Sequence, residues 1–263
     1  MSTELRRDLE SKCADMDVPL MGIADASAWD EPPFHPFVPP EARPRSIVPL
    51  ARSVVVIGIP LPMPAIDSAP SIWYAETYRT VNMLLDSACY RLSVFLEERG
   101  HPSAYIPRDG YAGIEALKRE PAAFFSHRHA AVLAGLGAFG VNNSVLTPRF
   151  GPRVRFTSLI TGAELPADAP LEEDLCIDCG LCARKCPAAA IDERGYPEGR
   201  TDAQACIAYT EGLSRKGISP CGMCVRVCPV GEDRDLWRNK DVSTYDQEGP
   251  RSQWGHIRRH GVR

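Results

Sequence analysis

Hydrophobic side chains recur at helical spacing in three parts of the N-terminal half. The first predicts an amphipathic helix over residues 3–16, with apolar positions Leu5, Leu9, Cys13 and Met16. A longer helix is predicted over residues 76–99, with Gly100 as its C-cap. Its apolar face comprises Val81, Leu84, Leu85, Ala88, Leu92, Phe95 and Leu96. A shorter helix is predicted over residues 127–136.

Two other segments have the pattern of β-strands. The β-branched run at residues 53–59 predicts a buried strand, and alternating residues from 154 to 161 predict another. Seven prolines between residues 32 and 49 predict a long surface loop, neither helix nor central strand. Mixed helices and strands up to about residue 165 predict an α/β or α+β domain.

The composition of the chain argues against nucleic-acid binding, a membrane span and secretion. The chain has 263 residues, of which 44% are hydrophobic and 24% charged, and its formal net charge of −4 is not the basic footprint of a nucleic-acid binder. Its longest apolar run, residues 53–63, is far shorter than the roughly 20 residues of a membrane span. No apolar secretion signal follows Met1. We therefore expect a cytoplasmic protein without a membrane segment.

Eight of the ten cysteines fall within a short C-terminal segment. The first four have the spacing C-x2-C-x2-C-x3-C followed by Pro187, which is typical of [4Fe–4S] ligation. A second motif ends in C-x2-C-x3-C followed by Pro229. A zinc site or a disulfide scaffold is the alternative, but zinc ribbons use separated C-x2-C pairs. Cys13 and Cys89 lie on predicted helices, where we expect them to be hydrophobic residues and not ligands.

In such motifs the fourth cysteine ligates the other cluster. The spacing therefore predicts two [4Fe–4S] clusters with crossed ligands. The first would be held by Cys176, Cys179, Cys182 and Cys228. The second would be held by Cys186, Cys206, Cys221 and Cys224.

A glycine-rich segment, AGLGAFGVNN, is the other feature that suggests a cofactor. Gly135, Gly137 and Gly140 match G-x-G-x-x-G, but a dinucleotide site requires a strand before the first glycine, and here a predicted helix precedes it. We favour a loop whose glycines let the backbone approach a flat cofactor, with Asn142 and Asn143 donating amide hydrogen bonds. The alternative is a helix C-cap packed against the cysteine segment.

The order of these features resembles the epoxyqueuosine reductases, which are related to the reductive dehalogenases. The matching segments are ARSVVVIGIPLP, FLEERG, AGLGAFGVNN, FGPRVRFTSLITGAEL and CIDCGLCARKCPAAAI with the split second motif. The resemblance covers roughly residues 1–235. It implies an α+β fold in which a nitroreductase-like domain (residues 1–165) binds a cobalamin. A two-cluster ferredoxin-like domain (residues 166–235) would supply electrons, with a linker at residues 162–170 and a basic tail at residues 236–263.

The chain also departs from that family. The family's lysine in G-K-N is replaced by Val141, and its acidic residue would fall near Pro121, where no carboxylate stands. Asp109 is a possible replacement. The helical-repeat extension of family members that act on tRNA is absent from this sequence, so we expect a tRNA substrate to be unlikely.

The leading hypothesis is a corrinoid-dependent reductase acting on a small-molecule or corrinoid-linked substrate. Asp109, Tyr105 and His127 are the candidate proton donors, with Tyr111 and His129 as further candidates. The electron donor would be of the ferredoxin or flavodoxin type. Two alternatives stay open: an electron-transfer protein whose N-terminal domain only docks partners, and a reductase with a flavin in the same pocket.

Overall fold

The computed structural model describes residues 2–30 and 38–236. Its strands are β1 (Leu20–Asp25), β2 (Ser53–Pro60), β3 (Ser103–Ile106), β4 (Ala138–Phe139), β5 (Val145–Leu146) and β6 (Val154–Thr161). The helices before the cysteine segment are α1 (Ser2–Asp15), α2 (Pro44–Ile47), α3 (Met63–Asp67), α4 (Ile72–Glu97), α5 (Ile114–Arg119) and α6 (His127–Leu133). Those within it are α7 (Leu181–Arg184), α8 (Ala203–Ser214), α9 (Met223–Arg226) and α10 (Asp233–Leu236). The described chain thus has a mixed α+β fold.

A four-stranded antiparallel sheet of order β1-β2-β6-β3 forms the centre of the N-terminal part. Alternate residues of β2 face opposite layers. Val55 and Ile57 pack on the side of α1 and α4, whereas Val54 and Val56 pack on the side of α6. Both faces of the strand are therefore covered, which explains why its sequence is a continuous apolar run. The predicted strands at 53–59 and 154–161 are confirmed.

Helix α4 begins four residues earlier than its predicted start. The side chain of Ser71 caps it by accepting a hydrogen bond from the backbone N–H of Tyr74 at 3.1 Å. Gly100 follows its end with a φ of +80°, as the predicted cap requires. One predicted apolar position is wrong, because Leu84 is 53% exposed on the outer face of the helix. The neighbouring Leu85 occupies the core instead.

The proline-rich stretch is less irregular than its sequence predicts. Residues 31–37 lie outside the described part, but a 3-10 turn forms at Pro40–Ala42 and α2 begins at Pro44. Proline is compatible with the first helical turn, because its missing N–H has no partner there in any helix. The expectation that this stretch excludes helix is therefore wrong. The predicted basic tail lies outside the described residues except for Leu236.

The predicted linker at 162–170 has no regular element but packs closely on the sheet. The backbone N–H of Asp168 donates to the Ile23 carbonyl at 2.7 Å, and its carboxylate accepts from the Ile23 N–H at 2.9 Å. Leu165 is buried beside β2, where its N–H donates to Ser53. This segment covers the outer edge of β1. None of the described helices has both the length and the apolar composition needed to cross a membrane.

Candidate functional site

The eight clustered cysteines lie around two separate cavities. Cavity A is lined by Cys176, Cys179, Cys182 and Cys228. Cavity B is lined by Cys186, Cys206, Cys221 and Cys224. Within residues 2–30 and 38–236, no three side chains of His, Cys, Asp or Glu converge closely enough to hold a single metal ion. Four thiols spread around a void suit a larger group such as a cubane cluster.

Each cavity receives a matching turn of the backbone. In the two C-G-x-C segments, Gly180 and Gly222 have φ values of +65° and +68° and precede α7 and α9 respectively. This left-handed conformation is readily available only to glycine, and it turns the chain between two cysteines of the same cavity. The two cysteine motifs therefore share the same glycine turn between two of their cysteines.

The glycine-rich segment forms a hairpin, β4 and β5, and does not line a cofactor-sized pocket of the N-terminal part. A Cβ on Gly137 would lie 2.1 Å from the Leu146 carbonyl oxygen, and one on Gly135 would lie 2.4 Å from that of Ala169. Gly140 lines cavity A. Gly135 and Gly137 are therefore needed because other backbone segments pack closely against them. Helix α6 also ends at Leu133, three residues early, because Gly135 has a φ of +69°.

The two asparagines of the hairpin connect it to the cysteine segment. The side-chain amide of Asn142 donates to the Cys224 carbonyl at 3.4 Å. The side-chain oxygen of Asn143 accepts from the Thr201 N–H at 2.6 Å. Both side chains are buried, so they hold a ligand-bearing loop against the N-terminal part. These contacts are those expected if the segment packs against the cysteine segment, and both asparagines also line cavity B. Val141, which stands where the family has lysine, lies beside cavity A.

A third cavity of about 420 Å³ lies in the N-terminal part. Its polar lining consists mainly of Tyr78, Arg108, Asp109, Tyr111, His127 and Arg155. Val225, which directly follows a cysteine of cavity B, also lines it. We call it the N-terminal cavity. Pro121, Arg128 and His129 line both this cavity and cavity B, which itself has a volume of about 670 Å³. The two spaces are therefore adjacent.

Arg155 organises the charged side of the N-terminal cavity. Its guanidinium lies 4.4 Å from the ring centroid of Tyr78, donates to Asn82 at 3.1 Å and approaches the Asp109 carboxylate at 3.4 Å. Arg108 contacts the same carboxylate at 3.2 Å. Asp109 is thus held between two cations at the cavity wall. Burial raises the pKa of Tyr78, while the nearby Arg155 charge opposes that shift.

The three candidate proton donors differ in their placement. Asp109 and His127 line the N-terminal cavity, but Tyr105 does not. Tyr105 lies on the edge strand β3, is 37% exposed and packs edge-on against Tyr90. Tyr111 is as exposed as Tyr105, at 39%, but it lines the cavity, and partial desolvation there raises its pKa to about 12, so its phenol stays protonated. The structure therefore offers Tyr111 in place of Tyr105.

His127 uses both of its ring nitrogens within the fold. Nε2 lies 3.0 Å from the Pro107 carbonyl oxygen, to which it must donate, so Nδ1 accepts from the Ser158 hydroxyl at 2.9 Å. Burial lowers the pKa of His127 to about 4, with a smaller opposing contribution from the Pro107 carbonyl. At neutral pH the imidazole is uncharged and both nitrogens are engaged. This arrangement disfavours the expected role as proton donor.

His129 joins the N-terminal part to the cysteine segment. Its ring packs edge-on against Phe139 and Tyr196, which also contact each other, and its Nε2 is 2.6 Å from the Tyr196 hydroxyl. Burial lowers the pKa of His129 to about 3. The neutral ring therefore forms part of the wall between the N-terminal cavity and cavity B. Cys13 and Cys89 lie within the hydrophobic core and line neither cavity A nor cavity B.

The environment of His127 predicts an acid-dependent loss of stability. Its pKa is lower in the folded chain than in the unfolded chain, so unfolding takes up a proton as the pH falls from about 6.5 to about 4. Arg155 and Asp109 are the charges that face the ring, and they oppose each other. Proton uptake by His127 on unfolding should therefore make the free energy of unfolding about 2 kcal/mol lower at pH 5 than at pH 7.5.

Comparing the wild type with His127→Gln isolates this contribution from that of other acid-sensitive groups. Denaturant unfolding at both pH values should show the difference between the two proteins shrinking by about 2 kcal/mol at pH 5. A difference that does not change with pH would refute the assignment of a neutral His127 in the folded chain.

Comparison with known proteins places these features in context. The family model described as a 4Fe-4S dicluster domain matches residues 175–232. The tetrachloroethene reductive dehalogenase of Desulfitobacterium hafniense is 31% identical over 208 residues, which cover 73% of this chain and 35% of the dehalogenase. The epoxyqueuosine reductase of Bacillus cereus is 23% identical over 276 residues, which cover 91% of this chain and 68% of the reductase. The chain spans about a third of the length of the dehalogenases that it matches.

Solved structures of both groups share the fold. A reductive dehalogenase whose structure suggests a mechanism for B12-dependent dehalogenation matches with a TM-score of 0.68 and 18% identity, over 94% of this chain and 36% of the other. An epoxyqueuosine reductase solved with a tRNA-Tyr stem loop matches with a TM-score of 0.60 and 20% identity, over 86% of this chain and 65% of the other. The chain is therefore a homologue of both the epoxyqueuosine reductases and the reductive dehalogenases, and its C-terminal part carries a 4Fe-4S dicluster domain.

Proposed function

We propose that this protein is an iron–sulfur oxidoreductase that passes single electrons through two [4Fe–4S] clusters to a cobalamin in the N-terminal cavity. Cavities A and B would each hold one cluster through the four cysteines that line it. The substrate would be a small molecule. Cysteine ligands of this kind function in a reducing compartment, so we propose the cytoplasm as the location.

The observation that carries the proposal is the contact between cavity B and the N-terminal cavity. Cys224 lines the first and the next residue, Val225, lines the second. Arg128 and His129 line both spaces. An electron leaving the cluster of cavity B therefore needs to cross only one layer of side chains. This adjacency favours an electron acceptor inside the N-terminal cavity over a domain that only docks partners.

The polar lining of the N-terminal cavity suits the reacting part of an organic cofactor. Its volume of about 420 Å³ is that of an ordinary small-molecule site, roughly 300–1,000 Å³, so a molecule as large as cobalamin would extend beyond it. A bound cobalamin would supply a metal centre that accepts single electrons and reduces substrate. The chain supplies the rest: Arg108 and Arg155 would bind acceptor groups, and Asp109 would accept from amide groups. Tyr111, whose raised pKa keeps its phenol protonated, would deliver a proton from its hydroxyl to the substrate.

A cobalamin titration under anaerobic conditions tests the cofactor. We expect saturable binding to protein whose clusters have been reconstituted, with corrinoid absorption bands added to those of the clusters. Ala122→Trp, at a cavity-lining position, should weaken this binding at least tenfold by filling the space. Ala112→Trp is the matched control and should bind like the wild type, because Ala112 is exposed and does not line the cavity although its neighbour Tyr111 does.

Three outcomes would change the proposal. Absence of saturable binding to the wild type removes the cobalamin. Flavin bands in the purified protein indicate a flavin in its place. Equal weakening by both tryptophan variants removes the N-terminal cavity as the site.

A further inference from the structure

The backbone carbonyl of Cys228 accepts hydrogen bonds from two arginines at once. Arg153 donates from Nη1 at 3.0 Å, and Arg234 donates from Nε at 3.1 Å and from Nη2 at 2.9 Å. Cys228 is the cysteine of cavity A that comes from the distant second motif. The two guanidiniums therefore converge on the residue that completes the group of four cysteines around cavity A.

Both arginines are completely buried, with side-chain exposures of 0%. Asp233 pairs with Arg153 through two oxygens, at 2.7 and 2.6 Å, and Asp67 lies 3.7 Å from Arg234. A third guanidinium, that of the buried Arg226, donates to the Ala69 carbonyl at 3.1 Å nearby. The guanidiniums of Arg153 and Arg234 thus lie at the Cys228 carbonyl, with Asp233 and Asp67 beside them, while Asp178 lines cavity A itself. Because both guanidiniums are fully buried, water screens their charges little.

The two arginines come from different parts of the chain. Arg153 precedes β6 in the N-terminal part, whereas Arg234 lies on α10, after the last cysteine. Close backbone packing brings them together: Gly151 has a φ of +51°, and a Cβ there would lie only 1.9 Å from the Val230 carbonyl oxygen. The arrangement therefore depends on a contact built between the two parts of the protein.

We propose that Arg153 and Arg234 are positioning residues for the cluster of cavity A and that they raise its reduction potential. This inference rests on the proposed presence of two clusters. Reduction adds one electron from the donor to the cluster and no proton, so the cluster gains one negative charge. Buried cations at the Cys228 carbonyl stabilise that added charge, and hydrogen bonding and charge near the ligands are known means of setting cluster potentials.

An EPR-monitored redox titration of the reconstituted protein, with dithionite as the reductant, tests the inference. Arg153→Gln and Arg234→Gln should each lower the equilibrium constant for reducing one cluster at least tenfold, which is about 59 mV for a one-electron couple. The other cluster should keep its midpoint. Arg149→Gln, an exposed position in the same segment whose guanidinium stacks on Phe150, is the matched control and should move neither.

A change of opposite sign separates an electrostatic role from a merely structural one. Asp67→Asn keeps the shape of the side chain but removes the negative charge beside Arg234, so it should raise the midpoint of the same cluster. If the glutamine variants lose iron from cavity A, this rise alone decides the question, and its absence overturns the inference.

The outcomes also separate this inference from the proposed function. A wild-type protein with fewer than two titrating clusters contradicts the proposed function. A wild type with two clusters, together with arginine variants that retain their iron and unchanged midpoints, contradicts only the role of Arg153 and Arg234.

Discussion

Replacing Cys186 by alanine should remove the cluster of cavity B and leave that of cavity A, so that iron falls from about eight to about four atoms per chain. Cys186 is only four residues from Cys182 in sequence, yet the two line different cavities. Its partners in cavity B come from α8 and the second motif, including Cys206. The variant leaves only three thiolates in cavity B, whereas a [4Fe–4S] cluster of this type is held by four.

Iron and sulfide analysis with EPR of the reduced protein measures this effect. Cys182→Ala is the reciprocal variant and should empty cavity A instead. Cys89→Ala, within the hydrophobic core, should retain the full iron content. The crossed assignment is wrong if Cys186→Ala loses the cluster of Cys176 and Cys179 alone. Four iron atoms per chain in the fully reconstituted wild type would contradict the presence of two clusters.

Alanine at Gly222 should be far more damaging than alanine at Gly180, although both glycines have the same left-handed conformation. The conformational cost, about 1–2 kcal/mol, is common to the two substitutions. At Gly222 the new Cβ would lie 2.5 Å from the ring of the buried Tyr74. At Gly180 it would meet only the tip of the flexible Arg184 side chain, at 2.7 Å. The additional clash at Gly222 should cost about 1–3 kcal/mol.

The consequence of Gly222→Ala reaches both functional spaces, because Tyr74 lines the N-terminal cavity and Gly222 lines cavity B. We expect this variant to unfold at lower temperature than Gly180→Ala and to lose the cluster of cavity B on mild oxidation. Thermal unfolding followed by circular dichroism, with iron analysis before and after, measures both. Similar stability and similar iron retention in the two variants would show that Tyr74 moves aside easily.

The cavity-lining residues Arg155 and Tyr78, which the sequence analysis missed, have weak sequence signals. Arg155 stands at a half-buried position of β6, where an alternating strand pattern predicts an ordinary surface residue. Tyr78 lies within α4 and carries no motif. Their importance arises from the cation–π contact between them and from Asp109, 46 residues before Arg155 in the chain. Only folding brings these groups together, so no local pattern reports them.

The placement of Tyr105 and Gly137 differs from expectation for a similar reason. A tyrosine in the middle of a strand faces one side of the sheet or the other, and the sequence around Tyr105 does not show which side holds a cavity. The glycines of AGLGAFGVNN do mark a close approach, as predicted, but the neighbour of Gly137 is the Leu146 carbonyl. A glycine indicates that a Cβ would clash, and it does not identify what it would clash with.

The sequence by itself determined those features that the local spacing of residues encodes. The period of apolar residues defined α1, α4, β2 and β6, because each element must bury a continuous face. The spacing of the cysteines identified the dicluster segment, because C-x2-C-x2-C-x3-C followed by proline is a local pattern typical of [4Fe–4S] ligation. The tertiary structure decided the rest. It placed Val225, the neighbour of Cys224, in the lining of the N-terminal cavity, and it brought Arg153 and Arg234 to the Cys228 carbonyl. Each of these depends on contacts between residues distant in the chain, which packing selects and local sequence does not specify.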